Sequence, residues 1–181
     1  PEAQNLIRTM FINKGKADKL GRRPAGIDRK PVTKVAVLGA GLMGAGLAHV
    51  LARAGCYVTV LDRTLELAQR ALGHAERQLQ KSQAAGKLDA ETAAEILARV
   101  KPTADYADMA GSEFVIEAVF ENRAVKAEAI ARSESVIDRD AVFATNTSTL
   151  PITGLADASS RPHRFIGMHF FSPVERMPLV E

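Results

Sequence analysis

A glycine-rich turn, Gly39–Gly44 (GAGLMG), stands between two stretches of different pattern and constrains the fold more than any other feature of the chain. Before it lies a short apolar run, Lys34–Leu38 (KVAVL), and after it comes an Ala/Leu-rich stretch, Met43–Ala54. A β-branched run, Tyr57–Leu61 (YVTVL), follows. This order predicts strand, helix and strand over residues 34–62, and two parallel strands joined in this way need a right-handed crossover.

The three glycines of the turn have the spacing Gly-x-Gly-x-x-Gly, in which each has a separate physical task. The first, Gly39, allows the tight turn, the second, Gly41, lets a pyrophosphate approach the backbone, and the third, Gly44, lets helix and strand pack closely. The start of the helix adds unpaired N–H groups and a partial positive charge. We therefore predict a dinucleotide site that includes Leu42 and Met43. The alternative is a tight turn without a ligand.

An acidic residue stands where the second strand of this unit ends. Asp62 follows Gly41 by 21 residues, and its carboxylate suits hydrogen bonds to the ribose hydroxyls of an adenosine. The same negative charge would repel a 2′-phosphate, which favours NAD over NADP. Arg63, the next residue, keeps NADP as an alternative.

Further strands and helices alternate along the rest of the chain. Thr64 is placed to cap a helix that runs to about Ala85, and a second helix is predicted over 90–100 after a turn at 86–89. Buried strands are predicted at Phe114–Val119, Ala141–Ala144 and Phe165–Phe171, with a helix at Arg123–Ile137 between the first two. We predict an α/β fold with a doubly wound (Rossmann), mainly parallel sheet and a helical-pair excursion after the second strand.

Composition and charge exclude several classes of protein. The chain is 46% hydrophobic and 25% charged, which is typical of a soluble globular protein, and no apolar run reaches the roughly 18 residues that span a membrane. Residues 1–34 hold nine Lys/Arg against three Asp/Glu, whereas the remainder holds fifteen against eighteen. The basic charge is thus a local tail, so we predict no nucleic-acid partner. The single cysteine, Cys56, excludes an internal disulfide and fits the cytoplasm.

Residues 1–33 differ in composition and apolar pattern from the rest of the chain. Apolar residues recur at helical spacing in residues 2–13, and residues 14–33 are rich in Lys, Arg, Gly and Pro. We predict a linker helix and basic linker over 1–33 and a NAD-binding domain over 34–181. The chain starts at Pro1 and stops at Glu181 directly after an apolar stretch, so we expect a segment cut from a longer protein.

Five short motifs occur in order in the second half of the chain. They are Glu117–Asn122 (EAVFEN), Lys126, Asn146–Leu150 (NTSTL), Gly167–Val174 (GMHFFSPV) and Met177–Glu181 (MPLVE). Together with the glycine turn, they resemble the 3-hydroxyacyl-CoA dehydrogenase family over residues 34–181. The residues of these motifs are most similar to those of the dehydrogenase part of multifunctional fatty-acid oxidation proteins. The resemblance implies NAD-dependent oxidation of (S)-3-hydroxyacyl-CoA to 3-oxoacyl-CoA in fatty-acid β-oxidation.

Oxidation of a secondary alcohol needs a base for the hydroxyl proton, and histidine suits that task near neutral pH. His169 lies at the end of a predicted strand, where open α/β sheets bind their ligands. From the residues alone, it is more simply a structural histidine. The resemblance makes it the catalytic base, with Glu181 as the carboxylate that orients it and Ser148 as the serine that binds the substrate hydroxyl. Asn146 is expected at the substrate too, although it also suits a turn.

The resemblance also places residues around the cofactor. It implies NAD contacts by Val119, Glu121, Lys126 and Ser148, whereas charges on an exposed helix start are otherwise usually solvated. Ser172 stands where short members of the family carry Asn, which leaves its contact with the nicotinamide open. We assign no metal site, because the remaining histidines have no metal-ligand spacing.

The resemblance implies partners beyond this chain. An acyl-CoA is the expected substrate, and a helical domain after Glu181 would complete the acyl pocket and form a dimer. We therefore expect the fragment alone to be weakly active or inactive, and the full-length protein to be oligomeric, with a thiolase subunit as a further expected partner. Two other functions stay open at this point. One is a non-catalytic NAD-binding module, and the other is a β-hydroxyacid dehydrogenase that acts on free acids.

Overall fold

The structure, a computed structural model, describes residues 1–19, 24, 26 and 30–181. The chain divides into two compact units, Pro1–Pro31 and Val32–Glu181. In the first unit, helix α1 (Glu2–Ile7), a π-helical stretch (Arg8–Asn13) and helix α2 (Lys14–Asp18) follow one another. The helical segment is thus longer than the predicted 2–13, because Lys and Ala after residue 13 also favour helix. Within the predicted basic linker, residues 20–23, 25 and 27–29 lie outside the described residues.

The second unit contains one six-stranded sheet in which every strand is parallel to its neighbours. The strand order is β3-β2-β1-β4-β5-β6. The strands are β1 (Lys34–Leu38), β2 (Tyr57–Leu61), β3 (Val100–Thr103), β4 (Phe114–Glu117), β5 (Val142–Thr145) and β6 (Phe165–Gly167). The order reverses between β1 and β4, which is the switch point of a doubly wound sheet. The predicted fold class is confirmed.

Helices cover both faces of this sheet. They are α3 (Leu42–Arg53), α4 (Leu65–Ala84), α5 (Ala90–Ala98), α6 (Arg123–Glu134) and α7 (Ile152–Ala156), with 3-10 turns at Tyr106–Met109 and Pro162–Arg164. Thr64 caps α4 as predicted, since its side chain accepts a hydrogen bond from the Leu67 amide at 3.2 Å. No helix among the described residues is long and apolar enough to cross a membrane.

Strand β3 was not predicted from the sequence, which instead extended the second helix to residue 100. The helix ends at Ala98, and Val100–Thr103 (VKPT) pairs with β2. Pro102 argues against a strand in the sequence, because proline lacks the N–H that an interior strand needs. It is tolerated here because β3 lies at the edge of the sheet. The helical pair α4–α5 is therefore the crossover from β2 to β3.

Two other predicted strands are shorter than expected. Strand β4 ends at Glu117, because the Glu117 carboxylate accepts a hydrogen bond from the Val119 amide at 2.8 Å and turns the chain away. Strand β6 ends at Gly167, and a single antiparallel bridge joins Phe170 to Val180. The chain therefore folds back on itself just after β6.

The hydrophobic core has two layers, one on each face of the sheet. Along β1, Val35 and Val37 belong to the layer under α3 and α4, whereas Ala36 and Leu38 belong to the layer on the other face. Successive side chains of a strand point to opposite faces, so a central parallel strand must be apolar on both. This explains why β1 is continuously hydrophobic rather than alternating.

The close packing of α3 on β1 gives a stability prediction. A Cβ atom at Gly44 would lie 1.8 Å from the Gly39 carbonyl oxygen, so Gly44→Ala should lower the free energy of unfolding by about 3 kcal/mol. Gly73, within α4, is the control. A Cβ there meets only the flexible end of Arg77 at 3.4 Å, and Gly73→Ala should raise stability by up to about 1 kcal/mol. Urea unfolding followed by circular dichroism measures both, and equal effects would contradict the packing argument.

Candidate active site

The sequence-predicted site residues meet at the carboxyl edge of the sheet, beside the switch point between β1 and β4. The glycine turn follows β1, Asp62 follows β2, and Glu121 follows β4. The residues after β5 and β6 complete this edge. In open α/β sheets this crevice is where ligands bind.

The glycine turn is held by backbone contacts on both sides. Gly39 has a φ of +90°, which favours glycine, and its amide donates a hydrogen bond to the Leu61 carbonyl at 2.8 Å. A Cβ at Gly39 would lie 2.7 Å from the Ala118 carbonyl oxygen. A Cβ at Gly41, in contrast, would meet no atom within 4 Å. Gly39 is thus required by the fold, whereas the space at Gly41 is open.

The amino end of α3 differs from those of α4, α5 and α6. Side chains of Thr64, Asp89 and Asn122 cap α4, α5 and α6, whereas Gly41 begins α3 with no side-chain cap. The first-turn amides, including those of Leu42 and Met43, therefore have no acceptor within the helix and lie at the positive end of the helix dipole. This arrangement fits the pyrophosphate of NAD.

Asp62 lies beside the same turn. One of its carboxylate oxygens accepts a hydrogen bond from the Ala40 amide at 2.8 Å, and the other accepts from the Arg63 amide at 2.7 Å. The carboxylate thus steadies the glycine turn. Each oxygen keeps a further lone pair, so the carboxylate can also accept hydrogen bonds from the ribose hydroxyls, as the sequence predicts.

Three residues of the predicted catalytic set form a continuous hydrogen-bonded line. The Ser148 hydroxyl lies 3.2 Å from Nε2 of His169, and Nδ1 of His169 lies 3.2 Å from a carboxylate oxygen of Glu181. An ionised carboxylate can only accept, so Nδ1 carries the proton and Nε2 is left with a lone pair. The imidazole can therefore receive a proton at Nε2 while Glu181 stabilises the resulting positive charge.

Backbone contacts hold this line in place. The His169 amide donates to the Glu181 carbonyl at 2.8 Å, and the Glu181 amide donates back at 3.0 Å. The side-chain oxygen of Asn146 accepts from the Phe170 amide at 2.9 Å. Asn146 is 8% exposed, so the structure gives it a task in holding the loop, and its contact with substrate stays a prediction.

Glu121 is tied to the loop that carries Ser148. One oxygen accepts hydrogen bonds from the Ser148 amide at 3.1 Å, from the Thr149 amide at 3.2 Å and from the Thr147 hydroxyl. Burial by itself raises the pKa of Glu121, but the hydrogen bonds from Thr147 and Thr149 and the Lys126 ammonium lower it from 4.5 to about 2. The carboxylate is therefore ionised at neutral pH and anchors the loop after β5.

Lys126 and Glu117 form a buried ion pair beneath this carboxylate. The Lys126 ammonium lies 2.8 Å from an oxygen of Glu117 and 3.2 Å from an oxygen of Glu121, and the lysine is 1% exposed. The other oxygen of Glu117 accepts from the Thr145 hydroxyl at 2.7 Å. The ammonium thus contacts protein acceptors, and its direct contact with the cofactor stays a prediction, as does that of the half-buried Val119.

Sequence reasoning missed Glu117 and Thr147. The signal for Glu117 was present, because a carboxylate at the end of an apolar run in a central strand is costly to bury unless it is paired. Thr147 gave no such signal, since a threonine in a turn is common. Among the described residues, no group of three or more His, Cys, Asp or Glu side chains could hold a metal ion.

Comparison with known proteins identifies relatives of this chain. The family model for the NAD-binding domain of 3-hydroxyacyl-CoA dehydrogenase matches residues 34–181. The chain is 39% identical, over all 181 residues, to the fatty acid oxidation complex subunit alpha of Psychrobacter cryohalolentis, of which it spans 25%. Thus it covers about a quarter of that curated relative's length.

Two solved structures share this fold. The crystal structure of FadB2 from M. tuberculosis has a TM-score of 0.79 and 40% identity, covering 83% of this chain and 53% of that one. The crystal structure of 3-hydroxybutyryl-CoA dehydrogenase from Escherichia coli K12 has a TM-score of 0.80 and 38% identity, covering 83% and 32%. The chain therefore spans about half and about a third of these proteins.

The open space at Gly41 separates binding from folding. Because Gly41 has a φ of −68° and a Cβ would meet nothing, Gly41→Ala should change the free energy of unfolding by less than about 0.5 kcal/mol. The methyl group would occupy the space where a pyrophosphate meets the backbone, so NADH affinity should fall by about tenfold or more. Fluorescence titration with NADH measures this, and unchanged affinity would place the dinucleotide elsewhere.

The low pKa of Glu121 predicts a pH dependence. A carboxyl whose pKa falls from 4.5 to about 2 on folding stabilises the protein above pH 4.5, and this contribution is lost as the pH falls toward 2. The stability advantage of the wild type over Glu121→Gln should therefore be constant above pH 4.5 and shrink below it. Urea unfolding at a series of pH values measures the difference. A difference that stays constant down to pH 2 would contradict this account.

Proposed function

The chain belongs to the 3-hydroxyacyl-CoA dehydrogenase family, and we propose that the full-length protein oxidises (S)-3-hydroxyacyl-CoA to 3-oxoacyl-CoA with NAD in fatty-acid β-oxidation. The line from Ser148 through His169 to Glu181 is the observation that carries this proposal. It provides an alcohol-binding hydroxyl, a base and a carboxylate at the ligand-binding edge of the sheet. A merely structural histidine would not need this alignment.

The reaction can be assigned to named atoms. The Ser148 hydroxyl holds the substrate hydroxyl close to Nε2 of His169, and Nε2 takes the hydroxyl proton. Glu181, at Nδ1, keeps the imidazole in the required tautomer and stabilises its charged form. NAD, when bound, accepts the hydride that leaves the same carbon atom. The protein then has to release one proton from His169 to complete the cycle.

The cofactor is held by residues on two sides of the switch point. The turn formed by Gly39, Gly41 and Gly44 receives the pyrophosphate at Gly41 and at the amides of Leu42 and Met43, and Asp62 receives the adenosine ribose. On the nicotinamide side we assign Val119, Glu121, Lys126 and Ser148. The position of Glu121 supports this assignment, because its carboxylate accepts a hydrogen bond from the Ser148 amide. Asn146 is assigned to the wall of the substrate site.

We also propose the wider setting of the reaction. An acyl-CoA is the substrate, and the full-length protein assembles as an oligomer with a thiolase subunit. The Psychrobacter relative is described as the alpha subunit of a fatty acid oxidation complex, which supports a multi-subunit assembly. We further propose that the fragment of residues 34–181 binds NAD yet turns over poorly. The helical domain that would complete the acyl pocket lies outside this fragment, and catalysis depends on substrate geometry within a fraction of an ångström.

The proposal is tested by mixing the full-length protein with acetoacetyl-CoA and NADH and following the loss of NADH absorbance. Turnover is expected with this pair, and little with free acetoacetate or with NADPH. Turnover of free acetoacetate would instead indicate a dehydrogenase of free acids. Binding of NADH without any turnover would indicate a non-catalytic module.

His169→Ala gives the sharpest prediction for the site. Loss of the base should lower kcat by at least about 100-fold, while the Kd for NADH stays within a few-fold because the glycine turn and Asp62 are unchanged. Steady-state kinetics and NADH titration measure the two quantities. His163→Ala, at an exposed 3-10 turn, is the matched control. Retained turnover in His169→Ala would rule out His169 as the base.

A further inference from the structure

We propose that His74 and Glu175 hold the segment between His169 and Glu181 in place and are positioning residues for the reaction. This inference rests on the proposed dehydrogenase function. It concerns a contact between helix α4 and the loop of residues 170–180, called here the 170–180 segment. Neither residue belongs to the line of Ser148, His169 and Glu181.

The 170–180 segment is flanked by His169 immediately before it and Glu181 immediately after it, both assigned to catalysis above. Its base is closed by the antiparallel bridge between Phe170 and Val180 and by the two backbone hydrogen bonds between His169 and Glu181. Glu175 lies six residues from His169 and six residues from Glu181. A displacement of the middle of the segment would therefore act on both catalytic residues together.

The middle of the segment is attached to the domain by two neighbouring side chains. Nε2 of His74 lies 2.5 Å from a carboxylate oxygen of Glu175, and the two side chains are 18% and 17% exposed. Val174 packs against the core, and a Cβ at Gly46 of α3 would lie 3.2 Å from it. Glycine at position 46 thus allows the segment to lie directly on α3. The rest of the segment's tip is more open, with exposed side chains at Ser172, Pro173, Arg176 and Met177.

A second histidine backs this contact. The ring of His49, on α3, lies 6.4 Å from that of His74 at an interplanar angle of 70°. Burial, aided by the nearby Arg53, lowers the pKa of His49 to about 4. His49 is therefore neutral at physiological pH and does not form an ion pair with Glu175. Nδ1 of His49 has no hydrogen-bond partner among the described residues.

The charge of Glu175 agrees with this arrangement. Burial by itself raises the pKa of Glu175, but the hydrogen bond from His74 outweighs burial, and the pKa lies below its usual range. An ionised carboxylate accepts a stronger hydrogen bond than a neutral group. The contact therefore suits a fixed attachment of the segment to α4. Through it, α4 supports residues that follow β6, the strand at the other edge of the sheet from β3.

The experiment compares His74→Ala, Glu175→Ala, their double variant and Glu175→Gln in the full-length protein. Each alanine variant should lower kcat with acetoacetyl-CoA and NADH by about tenfold, while the Kd for NADH changes less than about twofold. The double variant should be no worse than either single one, because both remove the same contact. Glu175→Gln keeps an acceptor of similar shape and should recover part of the lost kcat.

A second readout does not need turnover. The amides of His169 and Glu181 are hydrogen-bonded to each other's carbonyls, so loss of the contact should increase their hydrogen exchange by about tenfold. Mass spectrometry of peptides covering residues 168–181 measures this. The control is Glu134→Ala, which removes hydrogen bonds to Ser159 and Ser160, ahead of β6 and therefore at the amino ends of the strands rather than at their carboxyl ends. It should affect neither kcat nor exchange in these peptides.

The outcomes separate the two proposals. A wild type that binds NADH but does not turn over acetoacetyl-CoA overturns the dehydrogenase function, and exchange alone then decides whether the pair holds the segment. A wild type that turns over, together with unchanged kcat or unchanged exchange in His74→Ala and Glu175→Ala, overturns the inference. An equal loss of kcat in Glu134→Ala also overturns it, because the effect would then reflect general destabilisation.

Discussion

The buried ammonium of Lys126 is the interaction on which the end of β4 and the loop that carries Ser148 both depend. It lies between the carboxylates of Glu117 and Glu121, at 2.8 and 3.2 Å. Glu117 ends the central strand β4, and Glu121 holds the amide of Ser148 at 3.1 Å. Removing one partner of a buried pair leaves an uncompensated charge, typically at a cost of about 3–5 kcal/mol. This single cation therefore joins the end of β4, the start of α6 and the loop that carries Ser148.

The two sides of the site are built in different ways. On the cofactor side, backbone geometry decides the structure, because the turn at Gly39 and the approach of Gly44 to β1 leave no room for side chains. On the side of the proposed base, His169, side chains decide the structure. Asn146 holds Phe170, and Glu121 holds the loop of Ser148. A cradle made of backbone suits phosphates of any dinucleotide, whereas a base must lie within hydrogen-bond distance of one particular hydroxyl.

The sequence predicted most of the sheet because its signals are local. Strands β1 and β2 were predicted with correct bounds, since a buried parallel strand is a short apolar run between turns. Strand β3 was missed because Pro102 is tolerated only at an edge, and position in the sheet is not a local property. The candidate site follows the same division. The glycine turn could be located from spacing, whereas the pairing of Glu117 with Lys126, and of His74 with Glu175, joins residues on different elements.

By itself, the sequence determined that a dinucleotide-type turn lies between a strand and a helix, with an acid at the end of the next strand. These features depend on residue types at short, regular intervals, where glycine and carboxylate chemistry leave few alternatives. Only the tertiary structure decided that Ser148, His169 and Glu181 share one hydrogen-bonded line. It also decided that Lys126 is buried and that Asn146 holds a loop. Such roles depend on distances between segments far apart in the chain, and these distances exist only after the sheet is assembled.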